Sequence, residues 1–328
     1  SLQAKEPLAG WHGRLYKTSM KRSSHSFTRW AFITLLGLFA LPANSKAGMT
    51  PAEVREFNDC KALAEIGSVS AQFDLGIYFA HGRGVANDST EAAKWFRKAA
   101  ERGHAHAQRY LGLGYMNGEG VAQDKPQGVK WFRKAAEQGD AEAQVYLAIA
   151  CQNGQGVTKD AVEAVKWYRK AADQGDASGQ SGLGYCYANG LGVAQDDVEC
   201  AKWTRKAAEN GDANSQFSVG MSYKHALGVA KDEAECVKWL RLSAGQGYAR
   251  AQHALGLCYA NGEGVTKDDI EAYAYLSLAS SASLEALKSK AAHEAKMNPT
   301  TVAMEGKKRA EELQKEIEAK IAAKKAGK

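Results

Sequence analysis

The chain is poor in proline and carries no net charge beyond its first 47 residues. Only 5 of its 328 residues are Pro, whereas 33 are Gly. Glycine at that level indicates either low-complexity sequence or regularly spaced turns. The formal charge of +6 comes from residues 1–47, where Lys and Arg far outnumber a single Glu, so the rest of the chain is neutral overall. A neutral remainder argues against a nucleic-acid-binding protein.

Sequence signatures of the common enzymes are also missing. The sequence contains no HExxH, GxSxG, Walker loop, GxGxxG or CxxC motif, and its eight His are scattered. Each of those motifs places a nucleophile, a metal ligand or a phosphate cradle. We therefore predict a chain with no catalytic, cofactor-binding or metal-binding residues.

A secretory signal peptide is predicted at the N-terminal end. Lys21, Arg22 and Arg29 precede an uncharged stretch over 30–41, and the small-x-small triplet at 45–47 follows. This three-part plan is typical of a signal peptide, here with cleavage expected after residue 47. The apolar stretch is about 12 residues long, whereas a membrane span needs ~20. We expect a periplasmic or secreted bacterial protein without a membrane span after cleavage; the alternative is an uncleaved anchor.

The rest of the chain is dominated by a repeat of 36 residues. A pentapeptide ending in Gly-Val recurs with this period, and columns of Trp and Gln follow the same period from Trp95 to Trp239 and from Gln72 to Gln252. The recurring Val residues are Val85, Val121, Val157, Val193, Val229 and Val265. A fixed period of this length is typical of solenoid proteins. The predicted units are 68–103, 104–139, 140–175, 176–211, 212–247 and 248–283.

Local signals predict two helices in each unit. In the second unit, apolar residues recur with helical spacing from Ala107 to Tyr115, and Gly118 supplies a left-handed cap for this first helix. Asp124, with Gln127 three residues later, predicts an N-cap and a capping box for the second helix. The same Asp and Glu or Gln pair recurs in every unit, so capping explains the aligned Asp residues better than metal binding does.

These residues together resemble the Sel-one-like repeat, a relative of the tetratricopeptide repeat. The pattern is A-Q-x-x-L-G-x-x-Y, then G-x-G-V-x-x-D, then A-x-x-W-x-x-K-A-A-x-x-G, and it covers about 68–283. The resemblance implies an all-α fold, an α/α superhelical solenoid, and adaptor roles in protein complexes. The fifth unit departs from the pattern at Ala226 and at 242–243, and the sixth lacks the Trp.

The segments on either side of the repeats differ from them in composition. Residues 48–67 are similar to a second helix of the repeat and are expected to cap the N-terminal end of the stack. Residues 284–328 are rich in Ala, Lys and Glu and predict a charged helical tail. We expect that tail to be a solvated helix; a binding tail is the alternative.

The first helices are the candidate binding surface, because two columns on them vary from unit to unit while the other faces repeat. If first helices line the concave side of the stack, these columns line a groove for another protein. The candidate residues are Phe73, Arg109, Val145, Ser181, Phe217 and His253 in one column, with Tyr185 and Met221 in the other. We expect a monomeric, non-catalytic scaffold. The alternatives are an envelope protein that binds peptidoglycan or exopolysaccharide and, from the resemblance to a cysteine-rich branch of the family, a β-lactam-interacting protein.

Six cysteines in an exported chain raise the question of disulfides. Cys186 and Cys200 are placed at similar distances from the turn of the fourth unit, and Cys236 and Cys258 flank the junction of the fifth and sixth units symmetrically. Helical hairpins would bring the members of each pair level with each other, which predicts the disulfides Cys186–Cys200 and Cys236–Cys258. The alternative is that each Cys serves as a small buried residue.

Overall fold

The computed structural model describes residues 50–295 and 299–326, so the predicted signal peptide lies outside the described residues. Within the described residues there are fifteen helices and no strands, and consecutive helices form the two-helix units predicted from the sequence. The prediction of an all-α repeat protein is therefore confirmed. The helices are α1 Pro51–Glu65, α2 Val69–His81, α3 Ser89–Glu101, α4 Ala105–Asn117, α5 Lys125–Glu137, α6 Ala141–Asn153, α7 Ala161–Asp173, α8 Ala177–Asn189, α9 Asp197–Glu209, α10 Ala213–His225, α11 Glu233–Ala244, α12 Ala249–Asn261, α13 Asp269–Ser280, α14 Leu284–Glu294 and α15 Pro299–Ala326.

The described helices group into two compact bodies. The first comprises residues 50–182 and 188–195, and the second comprises 183–187 and 196–326. Each body is built from helical hairpins in which the first helices α2, α4, α6, α10 and α12 pack against the second helix of their own unit and against the helix before them in the chain.

The second unit shows how the sequence produces a hairpin. The His104 imidazole caps α4 by accepting from the backbone N–H of Ala107 at 3.2 Å, and α4 ends at Gly118, whose φ is 77°. That conformation is left-handed, which glycine adopts without the steric penalty of a side chain. The Asp124 carboxylate then caps α5 by accepting from the N–H of Gln127 at 3.0 Å.

The aligned Asp residues are N-caps as predicted, but the expected capping box is only half present in the repeats. In a full box the Glu at the third helical position accepts the N-cap backbone N–H. Here that N–H already donates to a carbonyl of the preceding first helix, as from Asp124 to Tyr115 at 2.9 Å. The Glu side chains are thereby released for ion pairs, such as Glu91 with Lys94 at 2.6 Å.

Packing inside a hairpin depends on a small residue facing a large one. Gly112 of α4 lies against the ring of Phe132 on α5, and a Cβ at Gly112 would come within 2.7 Å of that ring. Leu111 and Ala135, on the same two helices, are almost fully buried. The short distance between the helix axes therefore depends on Gly at this position.

The recurring Gln residues form a buried ladder that joins consecutive units. The Nε2 of Gln108 donates to the carbonyl of Ala100 at 3.0 Å, and its Oε1 accepts from Gln138 at 2.7 Å. The Gln144–Gln174 pair repeats this arrangement at 2.8 Å. The carbonyl of Ala100 also accepts from the backbone N–H of Gly103 at 3.0 Å. What each rung satisfies is therefore the buried Gln side chain, which explains why the column does not vary.

The C-terminal tail is not the solvated helix expected from its composition. It forms α14 and α15, and α15 packs along α13. Ala310, Leu313 and Ile317 are buried at helical spacing, and Arg309 donates to Glu271 at 2.7 Å. One apolar stripe in a highly charged segment is enough to cover the last repeat, so the tail caps the C-terminal end.

Candidate binding surface

The structure places the first variable column partly at the surface and partly in the core. Phe73 and Ser181 are half-buried on α2 and α8, whereas Arg109 and Val145 on α4 and α6 are buried. Arg109 is buried against the start of the next first helix, α6. The expectation that the whole column lines an open groove is therefore too broad.

Arg109 illustrates why that column is not uniformly accessible. Its guanidinium donates to the carboxylate of Asp140 at 3.2 Å and to Glu142 at 2.7 Å, and the residue is 8% exposed. His106 contacts the same Asp140 carboxylate at 2.8 Å. Burial acts to lower the pKa of Arg109, but Glu142 and Asp140 raise it above its usual value. Arg109 is thus the centre of an ion-pair network that joins the second and third units.

An aromatic cluster surrounds Phe73 at the start of the repeats. Its ring stacks on His104 with centroids 4.7 Å apart and meets Tyr110 edge-on at 5.7 Å. Tyr110 in turn lies 5.1 Å from Phe96. The sequence analysis missed Tyr110, because its column contains small or polar residues in most other units. The cluster presents half-buried aromatic rings of the kind enriched at protein interfaces.

The second body carries its own aromatic pair. Phe217 on α10 lies 5.5 Å from the ring of Tyr248, which precedes α12. Met221, one turn further along α10, is half-buried, as is Tyr185 in the same column. The hydroxyl of Tyr248 donates to Asn214 at 2.9 Å, which fixes the ring beside Phe217.

His253 belongs to a different environment. Its Nε2 contacts the hydroxyl of Ser289 on α14 at 2.9 Å, and burial lowers its pKa below the usual value. The tail helix therefore covers the last position of the predicted column. A partner reaching this position would have to share it with α14.

The two predicted cysteine pairs differ in how the structure places them. Cys236 and Cys258 are both buried and lie in the same apolar cluster, and each thiol affects the pKa of the other. On α8, the residue that packs against Cys200 and its neighbour Thr204 is Gly184. Cys186 lies two residues beyond Gly184 and therefore on another face of the helix. The structure therefore brings Cys236 and Cys258 together. The disulfide Cys186–Cys200 stays a prediction that the helix register does not favour.

The tryptophan column is structural, as its recurrence suggested. Trp167 is buried, its Nε1 donates to Glu163 at 3.2 Å, and the ammonium of Lys170 lies 4.0 Å from the ring centroid. In each of the first four units, the Lys that lies three residues after the Trp makes this cation–π contact. These contacts hold the second helices and do not form a ligand platform.

Two further features, a metal site and a membrane-spanning helix, are absent from residues 50–295 and 299–326. No group of three or more His, Cys, Asp or Glu in these segments is arranged to hold a metal ion. None of the helices in the same segments has the length and apolar character needed to cross a membrane.

Comparison with known proteins identifies what the repeat is similar to. Six consecutive segments match the Sel1 repeat, at 69–104, 105–140, 141–176, 177–212, 213–248 and 249–284. These boundaries lie one residue after those predicted from the sequence. Among curated proteins, none is significantly similar to the chain.

Two solved structures are similar in both sequence and fold. A Sel1 repeat protein from Oxalobacter formigenes is 32% identical over 70% of this chain and its own entire length, with a TM-score of 0.63. A protective antigen of uropathogenic Escherichia coli strains, which displays an SLR fold, is 37% identical over 78% of this chain, with a TM-score of 0.71. The chain covers 56% of that antigen's length.

Proposed function

Because the chain belongs to the Sel1 repeat family, we propose that it is a non-catalytic protein-binding scaffold exported from a bacterial cell. Sel1 repeat proteins are generally protein-interaction scaffolds. The observation that carries the proposal is the contrast between fixed and variable positions on the first helices. The Gln ladder repeats, as does the packing of a small first-helix residue against a second-helix side chain, while half-buried aromatic side chains at the variable positions differ from unit to unit.

The proposed contact residues are a subset of those predicted from sequence. Phe73 with its neighbour Tyr110 serves the first body, and Phe217 with Tyr248 and Met221 serves the second. Aromatic side chains of this kind supply large contact areas at a small entropic cost and frequently dominate binding energy. Arg109 is assigned instead to the stability of the scaffold, because its carboxylate partners already occupy it.

Affinity capture with matched variants tests this function. The chain without residues 1–47 would be immobilised and exposed to cell-envelope extract, and captured proteins would be identified by mass spectrometry. Phe73→Ala or Phe217→Ala should weaken capture of the partner by about tenfold or more. The control variants Lys94→Ala and Lys238→Ala change exposed second-helix residues and should capture as well as the parent.

The alternatives predict different results in the same assay. Retention of peptidoglycan or exopolysaccharide, with no protein captured by the parent, would contradict a protein-binding scaffold. Hydrolysis of a chromogenic β-lactam by the purified chain would contradict the non-catalytic assignment. Equal capture by both Phe variants and both Lys variants would show that binding does not use the first helices.

Export is a separate element of the proposal and has its own test. Its support is the charged, apolar and small-residue pattern over 21–47. N-terminal sequencing of the protein from its native host should give a mature chain that starts at Gly48, within a residue or two. A chain that starts at Met20 would contradict export by this signal.

A further inference from the structure

The contact between α11 and α12 contains two cysteines that face each other across the helix interface. Cys236 and Cys258 are each 2% exposed and lie in one apolar cluster with Val237, Leu240 and Leu255. The equivalent positions in the other units are Ala, Gly, Ser, Tyr or Cys. Only at this junction does the 36-residue register place two cysteines opposite each other on consecutive helices.

The two thiols act on each other directly. Their proximity lowers the pKa of Cys258 and raises that of Cys236, because a thiolate at Cys258 is stabilised by the neutral thiol of Cys236. Burial alone has the opposite effect on Cys186, whose pKa it raises to about 12. The paired cysteines thus differ from an isolated buried thiol in having one member that ionises more readily.

A cation lies beside the pair. Lys224 on α10 donates to Glu263 at 2.7 Å, and its charge acts to lower the pKa of both thiols. Its side chain is half-buried, so its charge is only partly screened by solvent. Nearby Lys is one of the features that distinguish reactive cysteines from inert structural ones. Glu263 and Glu233 are the acidic groups that act in the opposite sense on Cys258.

We propose that Cys236 and Cys258 are a redox modification site that closes into a disulfide joining the fifth unit to the sixth. The Cys258 thiolate attacks one sulfur of a low-molecular-weight disulfide such as glutathione disulfide and releases one thiolate. The Cys236 thiol then loses its proton and attacks Cys258 Sγ, which expels the second thiolate. The two cysteines lose two protons and two electrons, and one glutathione disulfide becomes two molecules of glutathione.

The cross-link would tie α11 to α12 in the unit whose first turn departs from the repeat pattern. Ala226 there adopts a left-handed conformation with φ 57° where the other first helices end in Gly. A disulfide that closes a short loop stabilises chiefly by restricting the unfolded chain. Oxidation should therefore raise the melting temperature by roughly 5–10 °C.

Oxidation of the intact chain with glutathione disulfide tests the proposal. After incubation, free thiols would be alkylated in denaturant and disulfides located by non-reducing peptide mapping. The expected result is loss of two of the six thiols, one peptide pair linked through Cys236 and Cys258, and a higher melting temperature that returns to the starting value on reduction. Cys258→Ser should abolish all three changes, while the control Cys151→Ser, at a buried cysteine elsewhere, should retain them.

Several results would overturn the proposal. One is that all six thiols stay free after prolonged incubation at a temperature where the helices open locally. Another is a stable glutathione adduct on Cys236 or Cys258 without a cross-link. The third is a disulfide between other cysteines. Lys224→Met tests the contribution of the cation. It should slow formation of the cross-link several-fold without changing its position, and an unchanged rate would show that Lys224 does not activate the pair.

Discussion

The second and fifth units follow the same helix–turn–helix path although they differ at positions on which the repeat depends. The second unit ends its first helix at Gly118, with φ 77°, and the fifth ends its first helix at Ala226, with φ 57°. A non-glycine residue in this region costs roughly 1–2 kcal/mol. The fifth unit therefore tolerates local strain because its other contacts determine the conformation of the turn.

The same two units differ around the tryptophan column. Trp131 in the second unit has the ammonium of Lys134 4.3 Å from its ring. In the fifth unit the equivalent of that Lys is the exposed Leu242, and the buried Nε1 of Trp239 has no acceptor among the described residues. The two units share the Asp cap, the Gln ladder and a second turn glycine, Gly120 or Gly228, in the left-handed conformation. The comparison indicates that the path does not require the first turn glycine or the Lys–Trp contact.

The largest expected loss of stability comes from truncating a Trp. It should differ between Trp167, which has an indole hydrogen bond and a cation–π contact, and Trp239, which has neither among the described residues. Trp167→Ala should lower the free energy of unfolding by ~3–5 kcal/mol, as a large core truncation. Trp239→Ala should cost ~1–2 kcal/mol less, because it removes neither an indole hydrogen bond nor a cation–π contact. Chemical denaturation of both variants measures the difference. Equal costs would show that the polar contacts of Trp167 contribute nothing, and no loss for Trp167→Ala would contradict the packing assignment.

The Gln ladder, which both units share, should make the next largest contribution to the free energy of unfolding. Gln108→Leu removes the hydrogen bonds to the carbonyl of Ala100 and from the amide of Gln138 and should cost ~1–3 kcal/mol. Gln216→Leu, in the fifth unit, should cost the same, since its carbonyl and amide contacts are equivalent. Thermal and urea unfolding would compare the two. Different costs would mean that the irregular unit distributes its stability in another way.

The first unit offers a way to extend the ladder. The Oε1 of Gln72 is buried without a partner, because Arg102 occupies the position of Gln138 and donates instead to the carbonyl of Gly67. In the fifth unit, Gln246 donates both to the carbonyl of Gly211, which is equivalent to Gly67, and to the Oε1 of the ladder residue Gln216. Arg102→Gln should therefore raise the free energy of unfolding by ~0.5–1.5 kcal/mol. A lower free energy of unfolding for Arg102→Gln would show that the hydrogen bond from Arg102 to Gly67 stabilises the chain more than a Gln–Gln hydrogen bond of the ladder does.

The features that were predicted correctly are those that recur with the period of 36 residues. Columns of Asp, Gly and Trp each require one physical role in every unit, so the helix bounds, caps and core followed from spacing alone. The buried tail was missed because its charged composition concealed a single apolar stripe at Ala310, Leu313 and Ile317. The incomplete capping boxes were missed because the competing carbonyl belongs to the preceding helix, which no local pattern reports.

The binding surface was predicted less accurately for a related reason. A variable column indicates that a position is not fixed by the repeat, but not whether it faces solvent. Arg109 varies from its equivalents because it pairs with Asp140 and Glu142 of the next unit. Such a contact depends on how two units pack, and it becomes visible only when both are placed.

A change at the turn should have a smaller effect than the loss of a rung. Ala226→Gly should stabilise the chain by ~0.5–1 kcal/mol, because the left-handed conformation carries no penalty for Gly. Gly118→Ala should destabilise it by ~1 kcal/mol or slightly more. Unfolding midpoints of the two reciprocal variants give the comparison directly. If Ala226→Gly lowers stability, the side chain of Ala226 makes a compensating contact that offsets the strain.

The smallest effect concerns an ion pair that joins the fifth and sixth units and that the first and second units lack. Lys224 contacts Glu263 at 2.7 Å, whereas the equivalent positions four periods earlier are Ala80 and Glu119. The hydrogen bond from Lys224 holds the pKa of Glu263 below its usual value. The folded state therefore binds a proton there less readily than the unfolded chain, so the stabilisation is present above the unfolded carboxyl pKa of about 4.3 and is lost as the pH falls through the lowered value. Because the Glu263 side chain is 37% exposed, the pair should contribute only ~0.2–1 kcal/mol.

Glu263→Gln makes this difference measurable. At pH 7 the variant should be less stable than the parent by that small amount, and the two should converge as the pH approaches about 3, below the carboxyl range. Lys224 does not complicate the acid limb, because its pKa is raised from an already basic value and it stays charged throughout. Glu119→Gln is the matched control and should show no such convergence. A constant offset between parent and Glu263→Gln from pH 7 to pH 3 would show that the substitution acts through packing and not through charge.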